Sequence, residues 1–216
     1  MSNQGSNIAL RSRIASELLR IKAIKLSPNE PFKWSSGWNS PIYCDNRLTL
    51  SYPDLRTMIK NAFVQDIKLR YPDAEVIAGV ATAGIPQGAI IAEAMNLPFI
   101  YVRDKAKSHG MTNRIEGQIQ PGKNVVVIED LISTGGSSIR AIEALREVDM
   151  KVLGLAAIFS YGFPDADKNF EAAEVDYFTL SGYDVLLDIA IHEKYIEKEV
   201  LSSLSAWKDD PASWKV

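Results

Sequence analysis

Two patterns of apolar and polar residues divide this chain into regions. Residues 8–24 carry apolar side chains at helical spacing with charged residues between them, which predicts an amphipathic helix. Residues 54–70 repeat this pattern until Tyr71-Pro72, where the proline ends a second predicted helix. Residues 28–48 are rich in turn-forming and aromatic residues, which favours short strands joined by loops.

From about residue 75 the pattern changes to short, almost wholly apolar runs that alternate with helix-like stretches. Buried strands joined by helices are typical of βαβ units, in which helices cover both faces of a parallel sheet. The predicted fold class is therefore α/β, with a core over about residues 70–180 and both ends of the chain packed over or beside it. The predicted core elements are strands at 75–81, 98–103, 124–130 and 152–159, a helix after the first of these strands, a helix at about 137–148, and a last short strand followed by helices.

Composition and charge narrow the class of protein. The 216 residues fit a single domain, and 46% apolar with 24% charged residues is the balance of an ordinary soluble globular protein. A net charge of -3 argues against a nucleic-acid partner. The N-terminus lacks the apolar stretch of a signal peptide, and no apolar run is long enough to cross a membrane. A single cysteine, Cys44, excludes an internal disulfide, and we expect a cytoplasmic protein with no membrane partner.

The strongest chemical signal lies between residues 124 and 148. Glu129 and Asp130 come at the end of a predicted buried strand, where parallel α/β sheets bind their ligands. A loop of small residues follows, in which Gly135 and Gly136 let the backbone close around an anion. Backbone N–H groups at the start of the next helix add donors for a phosphate. Hydroxyl donors are available from Ser133, Thr134, Ser137 and Ser138.

Carboxylates and an anion-binding loop side by side fit a sugar phosphate. The loop binds the phosphate, and the carboxylates accept hydrogen bonds from sugar hydroxyls or meet a bound cation. The stretch is neither a Walker A loop nor a GxGxxG turn, since it lacks both spacings. The alternative is structural: the acids lie on an ordinary loop and the serine-rich run caps a helix.

Two further segments carry candidate anion contacts. The turn after the first core strand places Thr82, Ala83 and Gly84 where their N–H groups could face a second anion, although a tight βα turn explains the same residues. A long polar segment follows the second core strand, and cations there could stabilise charge on a departing anion. Charge runs more often form a solvated surface, which is the alternative. The cationic residues are Arg103, Lys105, Lys107, His109 and Arg114.

These motifs together resemble a known family. "EDLISTGGS", from Glu129 to Ser137, resembles the signature with which type I phosphoribosyltransferases bind 5-phosphoribosyl 1-diphosphate (PRPP). "YVRDKAKSHG" and "SSGWNSPIYCDNR" resemble the orotate phosphoribosyltransferases of that family, in the version found in Gram-positive and related bacteria. The resemblance covers nearly the whole chain. It implies one phosphoribosyltransferase domain over residues 1–216, a central mostly parallel sheet flanked by helices, and a small N-terminal hood from about residues 1–50.

The resemblance also implies a reaction. PRPP and orotate would give orotidine 5′-monophosphate and pyrophosphate, a step of pyrimidine (UMP) biosynthesis. It implies catalytic roles for Lys107, His109 and Asp130, and a pyrophosphate loop at Thr82, Ala83 and Gly84. The implied PRPP-binding residues are Arg103, Lys107, His109, Glu129, Asp130, Leu131, Ile132, Ser133, Thr134, Gly135, Gly136 and Ser137.

Cofactor and partner follow from the same resemblance. Mg²⁺ would be held mainly through the substrate, with no direct protein ligand. The chain would form a homodimer in which the basic loop closes over substrate in the neighbouring subunit's site. Since this chemistry needs no covalent nucleophile, Cys44 is interpreted as a packed thiol.

Orotate is a planar pyrimidine with a carboxylate, so its site needs a flat wall and a cation or hydroxyl. Ser133 is the first candidate, with Tyr43 as a wall and Arg47 as a carboxylate partner. The alternative for Arg47 is an ordinary hairpin in which it bonds a nearby carboxylate.

Two positions depart from the family pattern, and two other functions stay open. Asp104 and Asn39 stand where many relatives have lysine. Some members also carry a lysine at the position of Ser35, and Lys33 is only its neighbour, so no N-terminal catalytic lysine is assigned. The alternatives are a phosphoribosyltransferase for another base, such as a purine, and a non-catalytic PRPP-binding regulator. The regulator is disfavoured because the basic loop is kept and the chain is acidic.

Overall fold

The structure is a computed structural model that describes residues 8–34, 37–104 and 114–214. Its helices are α1 (Ile8–Arg20), α2 (Pro53–Arg70), α3 (Gly84–Met95), α4 (Gly136–Arg146), α5 (Pro164–Ala172), α6 (Tyr183–His192) and α7 (Leu201–Asp209), with short 3₁₀ helices at Asn46–Ser51 and Lys198–Val200. Its strands are β1 (Ile24–Leu26), β2 (Phe32–Lys33), β3 (Asn39–Ser40), β4 (Ile42–Cys44), β5 (Val76–Val80), β6 (Phe99–Val102), β7 (Ile115–Glu116), β8 (Asn124–Ile132), β9 (Lys151–Ser160) and β10 (Tyr177–Gly182).

A six-stranded sheet forms the centre of the described chain, in the order β10-β9-β8-β5-β6-β7. Its strands run parallel, except for the short β7, which pairs antiparallel with β6. The chain passes from β5 to β6 towards one edge and from β8 to β9 towards the other. The order therefore reverses between β5 and β8, which is where open α/β sheets bind ligands. The predicted mostly parallel α/β fold is confirmed.

Helices cover both faces of this sheet, so its strands are apolar throughout. Along β8, Val126 and Ile128 join the core beneath α1, α2, α3 and α6, whereas Val125 and Val127 join the core beneath α4 and α5. This alternation is the two-residue period of a strand whose faces are both buried. Among the described residues, no helix has both the length and the apolar character needed to cross a membrane.

The N-terminal strands are anchored beside the carboxyl end of β9 by a cluster of aromatic rings. The fully buried Trp207 of α7 lies at its centre, with ring centroids 5.7 Å from Trp34 and 5.6 Å from Tyr161. Its indole Nε1 donates to the Asn39 carbonyl oxygen at 3.2 Å, which fastens the β2–β3 hairpin to α7. Buried aromatic pairs of this kind add about 0.5–1.5 kcal/mol each beyond their burial.

Three predicted boundaries were wrong. The first helix ends at Arg20 and not near residue 24, because Lys22 takes a φ of 58° and the chain then forms β1 against β4. β8 continues past the acidic pair to Ile132, because β9 still offers pairing partners there. The polar segment after β6 meets a strand at Ile115, earlier than the predicted strand at 124.

We expect Gly84→Ala to destabilise the fold, because a Cβ at Gly84 would collide with the Ile128 carbonyl oxygen of β8. Both groups are backbone and cannot move aside, so the free energy of unfolding should fall by about 1–3 kcal/mol. Urea unfolding measures this loss. Gly136→Ala is the matched control at the first residue of another helix, since its nearest neighbour would be Arg140 Nη1 at 3.5 Å. Equal unfolding midpoints for the two variants would contradict the close packing of α3 on β8.

Candidate functional site

The acidic pair lies where β8 extends beyond β5. Pairing between these strands ends at Gly79 and Ile128, while β9 continues to pair with β8 as far as Ile132. Glu129 and Asp130 therefore lie inside β8, which ends two residues later at Ile132 and not at Asp130 as predicted. On the side that faces β5, this part of β8 has no pairing partner, and it lies at the point where the strand order reverses. Both carboxyl groups thus lie at the carboxyl end of the sheet, where a ligand is expected.

Glu129 is buried, with 6% of its surface exposed. The backbone N–H of Asp130 donates to its Oε1 at 3.0 Å, and the Ser138 hydroxyl donates to its Oε2 at 3.4 Å. Burial, and then the charge of Asp130, raise the pKa of Glu129 well above its ordinary value. The carboxyl group is therefore poised to hold a proton that an exposed glutamate would lose.

Asp130 is partly buried, and burial raises its pKa as well. A hydrogen bond with Glu129 and the charge of Arg47 oppose this rise. The backbone is held by Asn46, whose Nδ2 donates to the Asp130 carbonyl oxygen at 2.8 Å. Asn46 is itself buried, and its Oδ1 accepts from the Cys44 thiol at 3.4 Å. Sequence reasoning missed Asn46, because nothing in the local pattern indicates a contact with a residue 84 positions away.

The loop of small residues turns sharply into α4. Gly135 has a φ of 82°, in the left-handed region that favours glycine, and a Cβ there would lie 2.8 Å from the Phe170 ring. The first N–H groups of a helix lack intrahelical acceptors, and no described side chain caps α4. Ser137 is exposed, Ser133 and Thr134 are partly buried, and the Thr134 carbonyl accepts from Asn169 Nδ2 at 2.9 Å. The geometry can seat a phosphate on backbone donors.

The predicted second anion turn opens at the same edge of the sheet. β5 ends at Val80, the turn contains Thr82 and Ala83, and α3 begins at Gly84. Within the described chain no side chain caps α3 either. The structure therefore brings two helix N-termini to the carboxyl ends of β5 and β8, one from each face of the sheet. Both N-termini can attract negative charge.

A cavity of about 300 Å³ lies between these turns and the start of the polar segment. Arg103 Nη1 is 3.3 Å from Glu116 Oε1, and Asp104 Oδ1 is 2.9 Å from Arg140 Nη2. Asp104, one of the departures from the family pattern, thus pairs with an α4 arginine that sequence reasoning did not assign. Lys105, Lys107 and His109 lie outside the described residues. The described lining is Val80, Ala81, Val102, Arg103, Asp104, Arg114, Ser137, Arg140 and Ala141.

A second cavity, of about 480 Å³, brings two predicted base-binding residues together. Tyr43 and Ser133 both line it, and aromatic rings form much of its wall. Burial raises the pKa of the Cys44 thiol well above its ordinary value, in keeping with a packed, protonated group. The sequence did not predict Lys33, Trp34 or Tyr161 as lining residues, because they reach the cavity from distant parts of the chain. Lys33 and Trp34 lie at the end of β2, and Tyr161 directly follows β9. The described lining is Lys33, Trp34, Tyr43, Cys44, Leu131, Ser133 and Tyr161.

Arg47 does not line this cavity among the described residues. Its guanidinium forms a fork with Asp45, with Nε 2.6 Å from Oδ1 and Nη2 2.9 Å from Oδ2. The side chain of Arg47 is 62% exposed. The structure therefore agrees with the alternative interpretation in bonding Arg47 to a nearby carboxylate, although Arg47 lies in the 3₁₀ helix Asn46–Ser51 and not in a hairpin.

Comparison with known proteins matches this geometry to a family. A family model described as "Phosphoribosyl transferase domain" matches residues 53–195, which include both anion turns and the acidic pair. The chain is 56% identical to an orotate phosphoribosyltransferase of Cytophaga hutchinsonii, covering 94% of this chain and 97% of the relative. It is 55% identical to an orotate phosphoribosyltransferase of Streptococcus gordonii, covering 96% and 99%. The crystal structure of orotate phosphoribosyltransferase from Aeropyrum pernix matches with a TM-score of 0.73 at 26% identity, covering 81% of this chain and 96% of that one.

We expect Glu129→Gln to stabilise the protein increasingly as pH rises. Because the folded-state pKa of Glu129 is raised, the folded protein binds the proton more tightly than the unfolded chain. The wild type therefore loses stability as pH rises from the unfolded glutamate pKa of about 4.3 towards the folded value, and the neutral glutamine avoids this loss. Urea unfolding midpoints at about pH 4.5 and about pH 8 measure the difference.

Glu143→Gln is the control for this experiment. Glu143 lies on the exposed face of α4, so this variant makes the same chemical change away from the acidic pair and controls for the substitution itself. A gain from Glu129→Gln that shrank with rising pH would show that Glu129 is not stabilised in its protonated form.

Proposed function

We propose a role for each part of this site, given that the chain belongs to the phosphoribosyltransferase family and, within it, to the orotate phosphoribosyltransferases. The protein is a pentosyltransferase that transfers the 5-phosphoribosyl group of PRPP to orotate. The products are orotidine 5′-monophosphate and pyrophosphate, in pyrimidine biosynthesis. The observation that carries the proposal is the phosphate loop, without a side-chain cap among the described residues, directly beside the buried Glu129 and the partly buried Asp130 at the carboxyl ends of β5 and β8.

The loop from Ser133 to Ser137 binds the 5-phosphate of the substrate. Backbone N–H groups at the start of α4 donate to the phosphate oxygens, and the helix dipole favours the negative charge. Gly135 supplies the left-handed turn that directs these groups to one point. Leu131 and Ile132 contribute through the backbone, since Ile132 is buried at the end of β8.

Glu129 and Asp130 bind the ribose hydroxyls. A carboxylate that accepts hydrogen bonds from the sugar ring lies near the positive charge that the ribosyl group develops as its bond to pyrophosphate breaks, and it stabilises that charge. Asp130 takes the catalytic part, because its carboxyl is the less buried of the two. Asn46 positions Asp130 by holding its carbonyl oxygen.

The departing pyrophosphate is bound by the α3 turn and by cations of the polar segment. The N–H groups of Thr82, Ala83 and Gly84 face its oxygens, and Arg103 at the 300 Å³ cavity adds positive charge. Lys107 and His109 complete this set. Charge stabilisation and positioning supply the catalysis, without a covalent intermediate.

Magnesium, oligomeric state and compartment complete the proposal. Within the described residues, no group of three or more metal-binding side chains could hold a metal ion. Mg²⁺ would be held mainly through the substrate, and the acidic pair fits this arrangement, because Mg²⁺ commonly needs no more than one or two carboxylates beside substrate phosphates. The ion would neutralise charge on the pyrophosphate. Family membership supports a cytoplasmic homodimer in which the basic loop reaches the neighbouring site.

Purified protein mixed with PRPP, Mg²⁺ and orotate should consume orotate, followed as loss of orotate absorbance. The same mixture without PRPP is the blank, and adenine in place of orotate tests the purine alternative. Loss of adenine with orotate unchanged would overturn the base assignment. No consumption of either base would overturn the enzymatic proposal.

Lys107→Ala should lower kcat on the order of 10²-fold or more, because a cation that stabilises the leaving group acts mainly in the transition state. Its unfolding midpoint should change little. Steady-state kinetics with saturating orotate and PRPP measure the effect. Lys151→Ala is the matched control, since Lys151 is the first residue of β9 and lies at the amino end of the sheet, away from the site. Equal kcat values for the two variants would remove Lys107 from the catalytic set.

A further inference from the structure

The 480 Å³ cavity presents an electrostatic problem for an anionic base. Orotate carries a carboxylate, yet two acidic side chains act on this cavity. After burial, the charges of Asp130 and then Asp45 raise the pKa of Cys44, which lines the wall. A ligand carboxylate brought into this field and out of water is disfavoured unless a cation meets it. The cavity therefore needs a positive group in its wall.

Among the described residues, Lys33 and Arg47 are the cationic candidates for this role, and only Lys33 lines the cavity. Arg47 is engaged in its fork with Asp45, so that each nearly cancels the charge of the other. Lys33 lines the cavity, and it is the one cationic side chain among the lining residues that the structure describes. Within the described part of the chain, Lys33 forms no salt bridge.

The backbone of Lys33 is held firmly at this position. Lys33 pairs with Asn39 across the β2–β3 hairpin, and the Asn39 carbonyl accepts from Trp207 at 3.2 Å. The next residue, Trp34, lies in the aromatic cluster, with its ring 5.1 Å from that of Tyr161. Because the backbone is already fixed, only the side-chain freedom of Lys33 is lost when it pairs with a ligand.

The rest of the wall suits a planar ring. Trp34, Tyr43 and Tyr161 give flat apolar faces, and Ser133 gives a hydroxyl beside the phosphate loop. A pyrimidine between these rings would place its ring-edge carboxylate near polar groups on the rim. The exposed Lys33 belongs to this rim.

We propose that Lys33, and not Arg47, pairs with the carboxylate of orotate, and thereby selects an acidic pyrimidine over a neutral one. This inference rests on the proposed function. Lys33 is a specificity-determining residue here, since it contacts the base and takes no part in breaking the bond to pyrophosphate.

The test compares Lys33→Ala, Lys33→Arg and Arg47→Ala in steady-state kinetics, with orotate varied at saturating PRPP and the reverse. Lys33→Ala should lower kcat/KM for orotate roughly ten- to hundredfold, the usual effect of losing a charge-assisted hydrogen bond. The KM for PRPP should stay within about twofold. Lys33→Arg should restore most of the loss, because it keeps the charge.

A second measurement separates a lost charge contact from a damaged cavity. Uracil has the orotate ring without the carboxylate, so its inhibition constant should be the same for wild type and Lys33→Ala. Lys151→Ala is again the control, and urea midpoints check that each variant is folded.

Three outcomes would overturn the inference. One is an unchanged kcat/KM for orotate in Lys33→Ala. Another is equal weakening of uracil and orotate, which would indicate a structural role. The third is a larger loss of orotate selectivity in Arg47→Ala than in Lys33→Ala. A wild-type protein that does not consume orotate would instead overturn the function itself, and this inference with it, so the two failures are distinguishable.

Discussion

The placement of a buried and a partly buried carboxyl group side by side, at the carboxyl ends of β5 and β8, is the constraint on which the rest of the structure depends. Removing carboxylates from water is costly unless hydrogen bonds or a bound ligand compensate. Ser138 and the backbone N–H of Asp130 compensate Glu129, and Asn46 holds the backbone of Asp130. The fold thus holds two acidic side chains next to each other at the carboxyl end of the sheet.

Groups of opposite charge lie beside this acidic pair. Two helix N-termini, from α3 and α4, direct positive dipole ends to the same edge from the two faces of the sheet. A ligand with a polyol centre and phosphates at its ends fits this alternation. PRPP has that form, and its binding to such a site requires no reactive side chain. The proposed catalysis therefore depends on positioning and on the placement of charge.

The N-terminal strands and α7 act as one unit through the aromatic cluster. Trp207 is fully buried and ties the β2–β3 hairpin to the body of the protein, so the base cavity is shaped by residues from both ends of the chain. Asn39, which departs from the family pattern, lies directly across that hairpin from Lys33. The position of Lys33 at the cavity therefore depends on the whole hairpin, including its contact with Trp207.

The sequence by itself determined the α/β class, the parallel core and the acid-then-glycine loop, because apolar periodicity and glycine requirements are local and are written in neighbouring residues. It also predicted Tyr43 and Ser133 as base contacts, and the structure brings them into one cavity. Only the tertiary structure decided that Asp130 is held by Asn46, and that Arg47 pairs with Asp45 while Lys33 lines the 480 Å³ cavity. Contacts between residues far apart in the chain depend on strand order and helix packing, which no local pattern encodes.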